Sequence, residues 1–155
     1  MPTRSVSGAL INYLIDFKVE QLPGVVQDYA GTVSYFGAGL GTSFPKWKGL
    51  FNAAWTFKPI TLSTRIRYIN HMKNRAEIQF PGEPQFASDI AHTPNVWYFD
   101  FAAEANIKNM TLRLGLNNAF DKDPPVYNPN VQSGTDPSLF DVIGRRAYVQ
   151  ATVKF

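Results

Sequence analysis

The feature that most constrains this chain is alternation. In six separate segments apolar side chains fall on every second residue, the period of a β-strand, whose side chains point to opposite faces in turn. The first segment is Ala9 to Glu20, with Ala9, Ile11, Tyr13, Ile15, Phe17 and Val19 on one face and Asn12, Asp16, Lys18 and Glu20 on the other. The second is Trp47 to Phe57, with Trp47, Phe51, Trp55 and Phe57 opposite Lys48, Asn52 and Thr56. The third, Thr61 to Asn70, sets Leu62, Thr64, Ile66 and Tyr68 against Ser63, Arg65 and Arg67. The fourth, Val96 to Ile107, sets Trp97, Phe99, Phe101, Ala103 and Ala105 against Tyr98, Asp100 and Glu104. The fifth, Met110 to Phe120, places Leu112, Leu114 and Leu116 opposite Arg113, Gly115 and Asn117. The sixth, Arg145 to Phe155, places Ala147, Val149, Ala151, Val153 and Phe155 opposite Tyr148, Gln150, Thr152 and Lys154. No segment sustains the three-and-four spacing of an amphipathic helix, and Gly and Pro, 11 each, punctuate the chain.

The connections between these segments alternate too. Gln21 to Lys46, His71 to Asn95 and Asp121 to Gly144 are long; Lys58 to Ile60 and Lys108 to Asn109 are short. Antiparallel neighbours joined in that order place every long connection at one end of a sheet and every short turn at the other.

Composition narrows the classes. A net charge of +3 from 15 basic and 12 acidic side chains is too small and too scattered for a nucleic-acid-binding surface; the densest basic pairs are Lys46/Lys48, Arg65/Arg67 and Arg145/Arg146. With no cysteine, neither a disulfide framework nor a thiolate metal site can form. Apolar residues never run for the roughly 18 that a spanning helix needs. Met1 to Gly8 carries one Arg, and the apolar stretch after it is broken by Asn12 and Asp16, so no secretory signal is read and the sequence as given is not expected to be exported.

Two architectures fit the alternation: a soluble sandwich or lipocalin-like barrel, and a membrane-spanning sheet. Three features favour the second. The segments are long enough to cross a bilayer when tilted. Aromatics gather near their ends, at Trp47, Trp55, Phe57, Trp97, Phe120 and Phe155, as an interfacial girdle requires. One face is nearly all apolar, whereas the other carries Asp16, Arg65, Asp100 and Arg113, a division that lipid outside and a wet lumen inside would produce.

The run LRLGLNNAFDKDPPVYNPN, followed by DPSLFDVIGRRAYVQATVKF, resembles the C-terminal end of TonB-dependent outer-membrane receptors. That family commonly enters an N-N-x-F-D-K-x-P-P run from a strand, forms a loop, passes through Y/F-D-x-x-G-R and closes on a strand ending in an aromatic. The matching residues are Asn117, Asn118, Phe120, Asp121, Lys122, Pro124, Pro125, Asp141, Gly144, Arg145, Arg146 and Phe155. Upstream, YLIDFKVEQLPG, DYAGTV, FPKWKG and LSTRIRYIN resemble preceding strands of the family, so the resemblance spans essentially the whole chain.

The resemblance implies an all-β fold: an antiparallel meander of about six transmembrane strands, residues 1–155 being the C-terminal part of a plugged barrel of about 22 strands. Nothing in the sequence resembles the family's plug or its TonB-contact segment, so the expectation is a piece of a longer protein, not competent alone. By the same resemblance, Val149, Ala151, Val153 and Phe155 form the signal read by the barrel-assembly machinery. The protein would be integral to the outer membrane of a Gram-negative bacterium, with its long loops outside the cell. Its partners would be outer-membrane lipid, the remaining strands and plug, the assembly machinery and, through the missing segment, the TonB complex. The family takes up ferric siderophores, haem, cobalamin or carbohydrates; neither an enzyme activity nor a cofactor is implied. The alternative is a soluble lipocalin-like binding module, which needs an apolar lumen and a polar exterior.

Other candidate sites have simpler explanations. His71 and His92 are a conceivable metal pair but read as ordinary loop residues. Asn118, Asp121 and Asp123 could offer oxygen ligands to calcium, yet Asn and Asp beside Pro124 and Pro125 are turn chemistry. Asp100 and Glu104 could be paired acids, but with no nucleophile or His beside them they read as lumen charges facing Arg65 and Arg113. Arg145 and Arg146 read as anchors at the headgroup boundary rather than as a ligand site.

Overall fold

A computed structural model describes residues 3–33, 43–75, 90–128 and 134–154. Its strands are β1 (Arg4–Tyr13), β2 (Lys18–Leu22), β3 (Val25–Asp28), β4 (Thr32–Val33), β5 (Trp47–Phe57), β6 (Ile60–Ile69), β7 (Lys73–Asn74), β8 (Val96–Ile107), β9 (Met110–Asn117) and β10 (Arg146–Val153). Six of them form one antiparallel sheet in the order β1-β5-β6-β8-β9-β10, and the sheet is not closed: β1 and β10 are its two edges. The fold is all-β, as the alternation requires.

Register turns the one-strand alternation into faces. Cross-strand partners share a face, so rows can be followed across the sheet. One row runs Ser5, Trp55, Leu62, Ala103, Leu114, Val149; another runs Ala9, Phe51, Ile66, Phe99. These rows belong to the apolar face. Alternating with them are rows of the other face: Gly8, Asn52, Arg65, Asp100 between the two, and Arg4, Thr56, Thr61, Glu104, Arg113, Gln150 beyond the Trp55 row. This second face is polar in its centre and more apolar toward β1, where Val6 and Leu10 lie.

The short turns, Lys58–Pro59 and Lys108–Asn109, do lie at one end, and the long connections lie at the other. Strands β5 and β8 keep the bounds expected from alternation, and β6 differs by one residue at each end. The first strand does not. It runs Arg4–Tyr13, not Ala9 to Glu20, because its partner β5 begins at Trp47, opposite Tyr13. Beyond one further bond, from Leu14 N–H to the Lys46 carbonyl, nothing continues the ladder, and the chain leaves the sheet. Ile15, Phe17 and Val19 therefore do not extend the face of Ala9, Ile11 and Tyr13. Phe17 packs on Phe44 with ring centroids 4.5 Å apart, and Lys18 to Asp28 form a separate hairpin, β2–β3. Asp16 is likewise outside the sheet and pairs with Lys18 at 2.9 Å. The fifth strand stops at Asn117 rather than Phe120, because Asn118 turns left-handed (φ 47). The sixth covers Arg146–Val153; Phe155 lies outside the described residues.

The buried core sits at the long-connection end. Val33, Ile69, Met72, Val96, Tyr98, Tyr127 and Phe140 form it, and they come from all three long connections and the strand ends beneath. Complete burial of one such side chain is worth about 1.5–3 kcal/mol. Backbone bonds knit the same segments: β4 pairs with β7 in parallel, Asn74 N–H donates to the Ala91 carbonyl, and Ile90 N–H donates to the Tyr127 carbonyl. The described parts of the three connections thus form one cap.

Candidate functional site

Among the described residues the core of the cap settles on one face. Ile69, Val96 and Tyr98 occupy the same face as Lys48 and Arg67, and the cap core buries them there. On the opposite face Trp47, Phe51, Trp55, Phe57, Leu62, Trp97, Phe101 and Leu114 are all exposed. Among the described residues Phe120, just past the end of β9, packs on that face against Phe99 and Phe101, and the large side chains named above stay exposed. Its aromatics gather toward the ends. Near the cap Tyr13 meets Trp47 at 4.3 Å, Tyr68 meets Trp97 at 4.4 Å, and Phe120 stands edge-on to Phe99 at 5.2 Å; Trp55 and Phe57 lie near the short turns.

Where the cap meets the polar face, charges are paired. Asp141 is buried and lies 3.0 Å from Arg146 and 3.6 Å from Arg67. Arg67 also reaches Asp100 at 3.3 Å and lies over the Tyr98 ring, 4.8 Å from its centroid. Asp141 N–H donates to the Tyr98 hydroxyl at 3.1 Å, and Asn118 N–H donates to Asp100 at 2.9 Å. Asp100 is indeed opposite Arg65 in register, and Glu104 is opposite Arg113. Its ion pair, however, is with Arg67, because Arg65 Nε donates to Asn52 instead. Asp100 is therefore a structural acid serving strand and turn together.

The two halves of the C-terminal motif, more than twenty residues apart in sequence, meet in space. Asp121 accepts the Arg145 N–H at 2.8 Å, and its other oxygen is 3.8 Å from the Arg145 guanidinium. A Cβ on Gly144 (φ 81) would come 3.0 Å from the same carboxylate, so both conformation and space favour glycine there. Asn118, fully buried, brackets Lys122: its amide nitrogen donates to the Lys122 carbonyl at 3.0 Å and its oxygen accepts the Lys122 N–H at 2.9 Å. Asn118 thus has the turn role expected of it. Asn117 ends β9, Phe120 returns to the apolar face, and Pro124 and Pro125, half-buried, lead toward Tyr127 in the cap core. Arg145 and Arg146 each lie beside an acid of the preceding connection, Asp121 at 3.8 Å and Asp141 at 3.0 Å. Val149, Ala151 and Val153 lie on the apolar face, opposite Leu114, Leu112 and Met110, and are exposed on the β10 edge.

The remaining candidates fall elsewhere. Asn70 contacts His71 Nδ1 at 3.1 Å, and His92 forms a backbone bridge with Lys73. Among the described residues no three His, Asp or Glu converge as a metal site. Asp123 is exposed. In the cap, Asp28 accepts N–H bonds from Phe17 and Ala30, which hold its carboxyl below the usual 3.8. Sequence reasoning missed Asp141 as a cap anchor and Arg75 altogether. Arg75 is fully buried, lies over the Tyr29 ring at 4.5 Å and donates to Thr32 Oγ1 at 3.2 Å, joining the second connection to the first. Asp141 carried a signal, as part of the Y/F-D-x-x-G-R match; Arg75 carried none, since nothing periodic surrounds it.

No family model, no curated protein and no solved structure matches this chain.

Proposed function

We propose that the chain is a membrane-spanning wall of an outer-membrane receptor of the TonB-dependent kind, contributing the C-terminal strands of a larger barrel used for active uptake of a scarce ligand. One observation carries this reading: among the described residues the cap core packs on the long-connection end of the polar face, while the large side chains of the apolar face stay exposed. A soluble sandwich or lipocalin-like module would bury its apolar face and wet its polar one. An exposed face this rich in Trp, Phe and Leu is an aggregation liability in water and an ordinary surface in lipid. The polar face then lines an aqueous interior, and the cap belongs to the extracellular rim. The edges of β1 and β10 present unpaired backbone groups, at several kcal/mol each in hydrocarbon, which further strands of the barrel would pair. The meeting of Asp121 with Gly144 and Arg145 supports the family assignment, since it gives the motif's two separated halves one structural task.

In this reading Val149, Ala151 and Val153, with Phe155, serve recognition by the assembly machinery. TonB acts through a segment outside these strands. The test is fractionation. Fused to a secretion signal and expressed in a Gram-negative host, the chain should sediment with outer membranes and resist carbonate extraction. Recovery as a monodisperse protein in the detergent-free periplasmic extract would refute the proposal in favour of the soluble module.

A further inference from the structure

We propose that the polar face carries a binding site for a small, elongated dicarboxylate, in the cleft bordered by Asn52, Arg65, Asp100, Arg113, Asn117 and Tyr148. The inference goes beyond the transporter reading and stands on the cleft alone. The cleft has a volume of about 450 Å³, within the range of sites that enclose small molecules. Its floor is one row of small side chains, Ala54, Ser63, Ala102 and Gly115, which leaves room above the sheet. At one end the Tyr148 ring lies over Gly115, so closely that a Cβ there would fall within the ring.

The charge distribution selects the ligand. Asp100 is already engaged, by Arg67 at 3.3 Å and the Asn118 N–H at 2.9 Å. Arg65 spends only its Nε, on Asn52 at 3.2 Å. Among the described residues Arg113 has no hydrogen-bond or ion-pair partner, although Glu104 is opposite it in register; Glu104 instead contacts the Asn106 amide at 3.5 Å. Two guanidiniums with donors to spare therefore line a cleft whose one acid is occupied. The planar guanidinium fork matches a carboxylate with two parallel bonds.

Spacing favours two carboxylates over one compact anion. Arg65 and Arg113 stand two strands apart, in rows above and below the small floor. Standard sheet spacings separate their backbones by about 16 Å, so an elongated dianion lying along the floor meets one guanidinium at each end. The Tyr148 ring and the small floor suit a flat body between the two charges.

The experiment titrates terephthalate into the full chain, folded in non-ionic detergent micelles, by isothermal calorimetry. Saturable one-to-one binding is expected. R65Q and R113Q should each weaken it by about tenfold or more, the loss expected for a charge-assisted contact. K154Q, remote from the cleft, should bind as the parent does, and the neutral terephthalamide should not bind. R113Q removes no intramolecular bond and so leaves the fold intact. A second readout needs no variant: terephthalate should slow phenylglyoxal modification of Arg65 and Arg113, but not of Arg4, in the unaltered chain. Equal binding of terephthalamide or inorganic phosphate, or affinity indifferent to R113Q, would overturn the proposal. So would binding of an acidic peptide where terephthalate fails, which would assign the cleft to a protein segment instead.

Discussion

Replacing Asp141 by Ala should loosen the cap from the sheet. The carboxylate side chain is 4% exposed and faces two guanidiniums, Arg146 at 3.0 Å (37% exposed) and Arg67 at 3.6 Å (34% exposed). Breaking a fully buried ion pair from one side costs about 3–5 kcal/mol, because the abandoned charge stays buried. An exposed pair is worth about 0.2–1 kcal/mol. Here the acid is buried while its partners are a third open to water, and Arg67 keeps Asp100 at 3.3 Å. The expected loss is therefore intermediate, about 1.5–3 kcal/mol. The assay is urea unfolding in micelles followed by tryptophan fluorescence, for D141A, R146A and the double variant. A coupling of about 1 kcal/mol between positions 141 and 146 is expected, with the urea slope unchanged. A D141A loss under about 0.5 kcal/mol, or no coupling, would refute the view that this acid pins the cap.

Other outcomes follow from the same geometry. Gly115→Ala should destabilise by about 1–3 kcal/mol by driving the Tyr148 ring off the sheet, and Tyr148→Ala in the same chain should restore most of the loss. Asn118→Ala should cost about 1–3 kcal/mol in urea unfolding, since it strips both bonds to Lys122 and leaves a left-handed residue without its side-chain support. In liposomes whose acyl chains are brominated, the fluorescence of Trp47, Trp55 and Trp97 should be strongly quenched, whereas a tryptophan placed at Ser63 on the polar face should not be. For Asp28 the folded pKa lies below 3.8, so its stabilising effect is complete above that value and is lost as pH falls through the lowered one. Amide protection factors at Phe17 and Ala30, referred to the intrinsic exchange rate at each pH, should accordingly fall on acidification, and Asp28→Asn should remove that fall.

What could be read beforehand follows from periodicity. β5 and β8 have uniform alternation along their whole length, and both ends fell where expected. β1 misled because Ile15, Phe17 and Val19 continue its rhythm after its partner has ended. A strand's limits belong to the pair, and only the neighbour shows where hydrogen bonding stops. The start of β1, Arg4 to Gly8, was equally hidden, since its few apolar residues carry no rhythm. The cap was illegible for another reason. Val33, Met72, Tyr127 and Phe140 are isolated apolar residues in polar connections, and their common burial depends on contacts far apart in sequence. The motif residues were recognised as a set, yet their physical task, the closure of Asp121 onto Gly144 and Arg145, became visible only in three dimensions.

The shared core of the cap bears on how such a surface can change. Connections at the rim of a sheet ordinarily diverge one at a time, because each holds itself together. Here Arg75 of the second connection is sandwiched against Tyr29 of the first, and Tyr127 of the third receives Ile90 and Asn74 of the second. An insertion or exchange in one connection would have to be matched in its neighbours. New recognition properties would then arise by concerted replacement of all three, and grafting a single connection from another protein should yield a misfolded rim rather than a hybrid specificity.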